Sequence, residues 1–357
     1  MSTPADVTAP ENAATPPAPE APEALEATEA PDEAAVMTYR EAIAAAMADE
    51  MSADPNVLLM GEDVAREGGV FKTNLGLVEQ FGPERVINTP ISENGFVGVA
   101  LGMSLMGLRP VVEIMFADFL PMAGDAIVNQ LPKYRFMSGG QCAVPVTIRA
   151  ISGATGRFGT QHSATGESWF MGLPGLRVVT ASSPGSAYEL LRAAIRDKNP
   201  VIFHEHKGLY ARKGEVRRGE VAEIGRAAVL REGTDATVVA TLLMVERVLK
   251  AADSLSAEGI EIEVIDLRWV RPMDLAGVQG SVERTGRLVV VEEQVHHGGW
   301  GATLISELTT GGVRWLARPA AVSLPYDLPI PYTPQLEDAI LPSPDRIAEA
   351  VRRSVQE

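Results

Sequence analysis

Residues 176–204 read LRVVTASSPGSAYELLRAAIRDKNPVIFH, and this stretch decides the fold. The runs 176–180 and 201–204 are short, apolar and rich in β-branched residues, as buried strands are. Between them Ser183 stands where a helix cap belongs and Pro184 at the first helical position, so residues 187–197 read as a helix. Strand, helix and strand in this order form a crossover unit, which joins parallel strands. Outward from it, residues 111–116 and 144–149 repeat the strand pattern and residues 120–137 the helical one. Thr38 followed by Glu41 is a capping box that opens the Ala-rich stretch 39–51 as a helix. Residues 208–233, richer in Gly and charge, read as a connection between domains. Beyond them, strands at 236–241, 260–267 and 288–292 alternate with helices at 244–255 and 275–284, and Ser343-Pro344 opens a last amphipathic helix. The expected fold class is α/β: a tail at 1–36, a parallel α/β domain over 37–210, a linker at 211–225 and a smaller α/β domain over 226–357.

Composition narrows the function. A chain of 357 residues, 46% hydrophobic, can bury two sizeable cores. The formal charge of −16 argues against a nucleic-acid backbone or an anionic membrane as partner, since both attract basic surfaces. Cys142 is the single cysteine, which excludes an intramolecular disulfide and a thiolate zinc site and suits a reducing cytoplasm. No run approaches the roughly 20 apolar residues a bilayer requires, and the start lacks a secretory signal pattern. Residues 1–36 carry eight acidic residues and no Lys or Arg, a composition expected to stay disordered and unlike a mitochondrial transit peptide.

Chemistry concentrates in Pro90-Ile91-Ser92-Glu93-Asn94-Gly95-Phe96-Val97-Gly98. Ser92 can cap a helix on which Gly95, Gly98 and Gly102 lie near one face. Each interior glycine costs about 1 kcal/mol, so three imply that something packs closely there. Glu93, in the first turn, either complements the helix dipole or shares a proton with a ring nitrogen at the mouth of an apolar interface. Phe119, taken by itself, reads as core. His162 lies in a Gly-rich loop, 153–166, long enough to be functional. His204 and His206 alternate onto one strand face with Glu205 opposite, a satisfied strand pair or, with a third ligand, a zinc or iron site.

These residues carry a family resemblance. The Pro-Ile-Ser-Glu-x-Gly-x-x-Gly run, Met60-Gly61-Glu62-Asp63-Val64, Glu113-Ile114-Met115-Phe116-Ala117-Asp118-Phe119 and Gln161-His162-Ser163 resemble beta subunits of the thiamine-diphosphate-dependent component of 2-oxoacid and acetoin dehydrogenase complexes. So do Pro174-Gly175-Leu176, residues 194–201, Pro329-Ile330-Pro331-Tyr332 and Leu336-Glu337-Asp338, in the same order. The resemblance runs from about residue 37 to the C-terminus and implies a transketolase-like pyrimidine-binding domain followed by a transketolase C-terminal domain. It implies that Glu93 pairs with the pyrimidine nitrogen of thiamine diphosphate and promotes its imino tautomer, with Met115 and Phe119 also at the cofactor. It places His162 at the mouth of the site, assisting acyl transfer to a lipoyl group. It gives Asp197 and Asn199, with the carbonyls of Val146, Ala194 and Ile195, to a structural monovalent-cation site for potassium; the other reading of these residues is a helix end and turn.

The resemblance also implies a partner. The family binds the cofactor's diphosphate and Mg2+ through a Gly-Asp-Gly motif followed by an asparagine, whereas this chain has Gly124-Asp125-Ala126 and no Asn between Asn129 and Asn199. An alpha subunit therefore supplies that half, in a heterotetramer of two alpha and two beta subunits, with a lipoyl acyltransferase core as further partner and a bacterial cytoplasmic setting. Departures from the pattern are His296-His297 and Ala164 after Ser163, where many relatives carry Gln. They leave the substrate open among pyruvate, a branched-chain 2-oxoacid and acetoin. Two rival readings remain: a non-catalytic binding protein on the same fold, and a fragment-like relative of transketolase or deoxyxylulose-phosphate synthase.

Overall fold

A computed structural model describes residues 34–357. The expected tail lies outside the described residues except for 34–36, which belong to a strand, β1 (Ala34–Thr38). Thr38 then caps α1 (Tyr39–Ala53): its hydroxyl accepts from the Glu41 N–H, and the Glu41 carboxylate accepts from the Thr38 N–H at 2.7 Å, the complete capping box. The first domain continues through β2 (Val57–Gly61), α2 (Leu77–Phe81), β3 (Val86–Asn88), α3 (Glu93–Leu105) and β4 (Arg109–Ile114). Then come α4 (Leu131–Met137), β5 (Thr147–Ser152), β6 (Arg177–Thr180), α5 (Pro184–Arg196) and β7 (Val201–His206). Strands β6, β7, β5, β4, β2 and β3 lie side by side in that order, all parallel.

The crossover unit forms as its sequence dictates, with Ser183 accepting from the Ser186 N–H and Pro184 opening α5. Buried Glu50 of α1 receives Arg192 at 2.7 Å and Arg196 at 2.9 Å, locking α1 onto α5. The helix expected over 120–137 is broken instead. Ala117–Ala123 is a 3-10 turn containing Pro121, Ala126–Gln130 is a π turn, and only α4 is regular. Pro121 lacks the N–H that a continuous helix needs.

The connection also differs from its expected form. It contains β8 (Lys213–Arg217), which pairs antiparallel with β1 over five residues, and β9 (Ala228–Arg231). The second domain adds β10 (Ala236–Ala240), α6 (Leu243–Ser256), β11 (Ile262–Asp266), β12 (Trp269–Arg271), α7 (Leu275–Thr285) and β13 (Leu288–Val295). It ends with α8 (Trp300–Thr310), β14 (Ala320–Leu324), α9 (Pro334–Ile340) and α10 (Pro344–Gln356), the last capped by Ser343. Its sheet runs β14-β13-β10-β11-β9, parallel except for β9. β12 leaves this domain and joins the first sheet antiparallel to β6, so the two domains share a sheet edge. Trp269 of that strand and Trp300 of α8 are wholly buried. Among the described residues no helix is long and apolar enough to cross a membrane.

Candidate active site

In a parallel sheet, functional groups gather beyond the carboxyl ends of the strands. Here β2 ends at Gly61 and delivers Glu62, and β3 is followed by the turn that leads to Glu93. β4 leads into Met115, Phe116 and Phe119, β5 into the 153–166 loop with His162, and β7 into Lys207.

Glu93 is the first residue of α3 and is 9% exposed. Ser92 precedes it, but the expected cap bond is missing. A Cβ on Gly95 would stand 2.8 Å from the Ser92 hydroxyl oxygen, so that hydroxyl lies over the glycine instead of turning to the free N–H groups. The helix start is left open beside Glu93. Gly98 and Gly102 have nothing within 4 Å of where a side chain would begin, and Ile91, Val99 and Met106 are exposed around them. The close packing that the glycines imply is thus not supplied by this chain among its described residues.

Glu62, within the Met60–Val64 motif, stands beside Glu93. Its carboxyl is held above the usual range by burial, then by the neighbouring carboxylates of Glu93 and Asp63. Its Oε1 is buried without a hydrogen-bond partner. Two carboxyls that share one field at an open helix start form a place where a proton can be held and handed to a basic ring nitrogen.

The second half of the site is aromatic. The His162 imidazole meets the Phe119 ring edge-on at 5.4 Å between centroids, so the two residues expected at the cofactor and at the mouth do come together. Phe116, absent from the expected set, touches both and also Phe71 and Phe158. Met115 is half-buried at the end of β4. Asp118 accepts from the Ala164 N–H at 3.2 Å; burial raises its carboxyl above the usual range.

The loop that carries His162 is tied to the second domain. The Ala154 N–H donates to Glu293 of β13 at 2.6 Å, and the Thr155 N–H donates to Glu337 of α9 at 2.5 Å. Thr160 reaches the Ile330 carbonyl at 3.0 Å, and Arg157 pairs with Asp338 at 2.9 Å. Glu293 also receives His206 Nε2 at 3.0 Å, while His206 Nδ1 accepts from the Gly208 N–H. That acceptor role places the ring proton on Nε2, facing Glu293. Gly153, at φ +90°, has to be glycine, because a Cβ there would lie 2.0 Å from His206 Nε2. Lys207 donates to the His162 carbonyl at 2.6 Å and lies 5.3 Å from the centres of the Phe116 and Phe158 rings.

The strand histidines have separate partners: His204 with Ser152 at 2.9 Å, His206 with Glu293, and between them Glu205 with Arg149 at 2.5 Å. Burial lowers His204 to about 3, which keeps it neutral. No group of three or more His, Cys, Asp or Glu that could hold a metal occurs among the described residues.

Val146, Ala194, Ile195, Asp197 and Asn199 gather at the opposite, amino end of the strands, where α5 ends. The carbonyls of Ile195 and Asp197 accept from Arg109 at 3.1 and 3.3 Å, and Val146 O accepts from Val201. Asp197 holds the N–H and side-chain amide of Asn199 at 3.0 and 2.9 Å and pairs with Arg177.

Comparison with known proteins follows the same division. "Transketolase, pyrimidine binding domain" matches residues 35–213 and "Transketolase, C-terminal domain" residues 225–347. The chain is 43% identical over 322 residues to the pyruvate dehydrogenase E1 component subunit beta of Rhizobium meliloti, covering 90% of this chain and 70% of that one. It is 42% identical to the protein of the same name in Rickettsia bellii, over 89% of this chain and 98% of that one. With the acetoin:2,6-dichlorophenolindophenol oxidoreductase subunit beta of Cupriavidus necator it shares 40% identity, over 90% and 98%. A split-gene transketolase solved as an inactive beta4 tetramer has the same fold, with a TM-score of 0.74 at 24% identity over 90% of this chain and 98% of that one. The chain belongs to the transketolase-like family that includes the beta subunits of the pyruvate dehydrogenase E1 component and of acetoin oxidoreductase.

Proposed function

We propose that this chain is the beta subunit of a 2-oxoacid dehydrogenase complex, of the pyruvate or acetoin type, and supplies half of a thiamine-diphosphate site completed by an alpha subunit. The observation that carries this reading is the pair Glu93 and Glu62 at the open start of α3, beneath a bare glycine face. The orphaned Glu62 oxygen and the uncapped helix start fit the pyrimidine end of the cofactor. When bound, thiamine diphosphate supplies a carbon nucleophile and an electron sink for decarboxylation. Glu93 would hold the proton at the pyrimidine nitrogen, beside the Glu62 carboxyl, whose affinity for a proton is raised. Phe119 and Met115 offer apolar contact to the ring, and burial around Phe116 limits water. His162, at the mouth, is placed to move a proton during acyl transfer to the lipoyl group.

The alpha subunit, with Mg2+ on its side, covers the glycine face in a heterotetramer of two alpha and two beta chains, and the second domain helps to dock the acyltransferase core. The setting is the bacterial cytoplasm. A potassium ion of structural role at Val146, Ala194, Ile195, Asp197 and Asn199 would share oxygens that Arg109, Arg135 and Arg177 also engage. The deciding experiment is calorimetric titration of thiamine diphosphate and Mg2+ into the chain alone and into the chain co-expressed with its alpha subunit. Saturable binding only to the pair is expected. Tight binding to the lone chain would overturn the shared site, and no binding to either would favour a non-catalytic protein.

A further inference from the structure

We propose that Lys207 is a positioning residue for His162: its ammonium, held over the Phe116 and Phe158 rings, grips the His162 carbonyl and fixes the imidazole at the mouth of the site. The functional meaning rests on the reading above, whereas the grip itself is a matter of geometry. Loop 153–166 is held at its start by Ala154 and Thr155, through Glu293 and Glu337. Past Gly159, at φ +79°, the chain turns into the short 3-10 turn Thr160–His162, whose carbonyl end has a side-chain donor in Lys207 at 2.6 Å. Consecutive residues of one strand end thus serve both ends of the loop, His206 against Gly153 and Lys207 against His162. A lysine suits the second position because its single charge can donate along one direction while its other side rests on aromatic faces.

The groups that face Lys207 are Asp118 from the turn after β4, Glu293 from β13 and Glu337 from α9, with His162 on the loop itself. His206 and Arg157 already engage Glu293 and Glu337. Burial lowers the ammonium to about 8, against the pull of these carboxylates, so its charge declines between about pH 7 and pH 9. The grip should therefore loosen across that interval.

The test uses the chain co-expressed with its alpha subunit. Amide hydrogen exchange of a peptide spanning 159–166, corrected for intrinsic rates, reads the loop; carbon dioxide release and lipoyl acylation read the chemistry. In Lys207→Met at pH 7, exchange should rise about tenfold and acylation fall about tenfold, while carbon dioxide release stays within roughly threefold. Lys207→Arg should restore both, and wild type should lose part of its protection between pH 7 and pH 9, the neutral amine keeping a weaker N–H donor, while Lys207→Arg stays protected. Unchanged exchange in Lys207→Met, or equal loss of both reactions with Lys207→Arg no better, overturns the proposal. If the wild-type pair performs neither reaction, the assigned function fails while the exchange comparison still judges the grip.

Discussion

The imidazole of His162 meets the Phe116 ring edge-on, with centroids 4.7 Å apart and planes at 86°. Phe116 has three further ring neighbours, Phe71 at 5.8 Å, Phe119 at 5.8 Å and Phe158 at 5.7 Å. Phe116→Leu keeps most of the apolar volume and loses the ring geometry, which is worth about 1 kcal/mol per pair. Over these four pairs we expect a loss of roughly 2 to 4 kcal/mol, read by urea unfolding. A variant as stable as wild type would show that these rings are packed without preference.

His162→Ala removes the proposed proton carrier and leaves the carboxyl pair of Glu62 and Glu93 in place. Acylation of the lipoyl group should fall by about 100-fold, and carbon dioxide release by much less. Equal losses in the two assays would remove His162 from the transfer step.

Glu93→Gln keeps the size of the side chain and gives up its exchangeable charge. Decarboxylation should drop by roughly 100-fold or more, with assembly and melting temperature little changed. Normal turnover would refute the assignment of the cofactor end.

Arg149, wholly buried, joins Glu205 at 2.5 Å, Glu113 at 3.1 Å and the Asn74 amide oxygen at 2.7 Å. Arg149→Met takes the cation from two buried carboxylates, leaving Glu205 the Tyr210 hydroxyl at 3.0 Å and Glu113 the Asn74 amide at 2.8 Å, and should cost about 3 to 5 kcal/mol. Adding Glu205→Gln should recover part of that loss. A double variant that is less stable than the single one would show that the Tyr210 hydroxyl depends on the Glu205 carboxylate more than Arg149 does.

Glu167 is buried among Glu292 and Glu293, and its carboxyl is pushed up to about 7, by burial first. It therefore holds its proton in the folded chain at pH values where the unfolded chain, titrating near 4.5, has lost it. Stability should fall as pH climbs from about 4.5 to 7 and then level, by on the order of 3 kcal/mol from this group. Asp266, raised to about 6, acts with the same sign, so the useful quantity is the difference between wild type and Glu167→Gln at pH 5 and pH 8. Identical pH slopes in the two proteins would exclude Glu167 as a contributor.

Local chemistry is what made parts of this fold readable. The capping box of Thr38 and Glu41, the Ser183-Pro184 helix start and the strand runs around α5 act within a few residues, and each forms. Ser92 misled because a cap depends on where one hydroxyl turns, and here it turns over Gly95. The break at Pro121 was visible as a proline, but the π turn behind it follows from packing rather than from a residue type. β1 with β8 and β12 with β6 are short strands paired across long stretches of chain, for which a single sequence carries no register. Of the site, Glu93, Phe119 and His162 could be named from motifs. Glu62 acquires its character from burial beside Glu93, and Lys207, Glu293 and Glu337 from contacts across the two domains. Composition does not encode such contacts.

The pairing of β1 with β8 changes the mechanical nature of the junction between the domains. The five-residue ladder fixes the start of the connection to the first domain, where β8 packs on α5 and α1, and leaves only residues 218–227 as single chain before β9. The second domain supplies Glu293 and Glu337 to the His162 loop of the first, so a swivel at the junction would drag the loop with it. The ladder acts as a brace, and the alignment of the His162 loop is coupled to a strand at the start of the described residues.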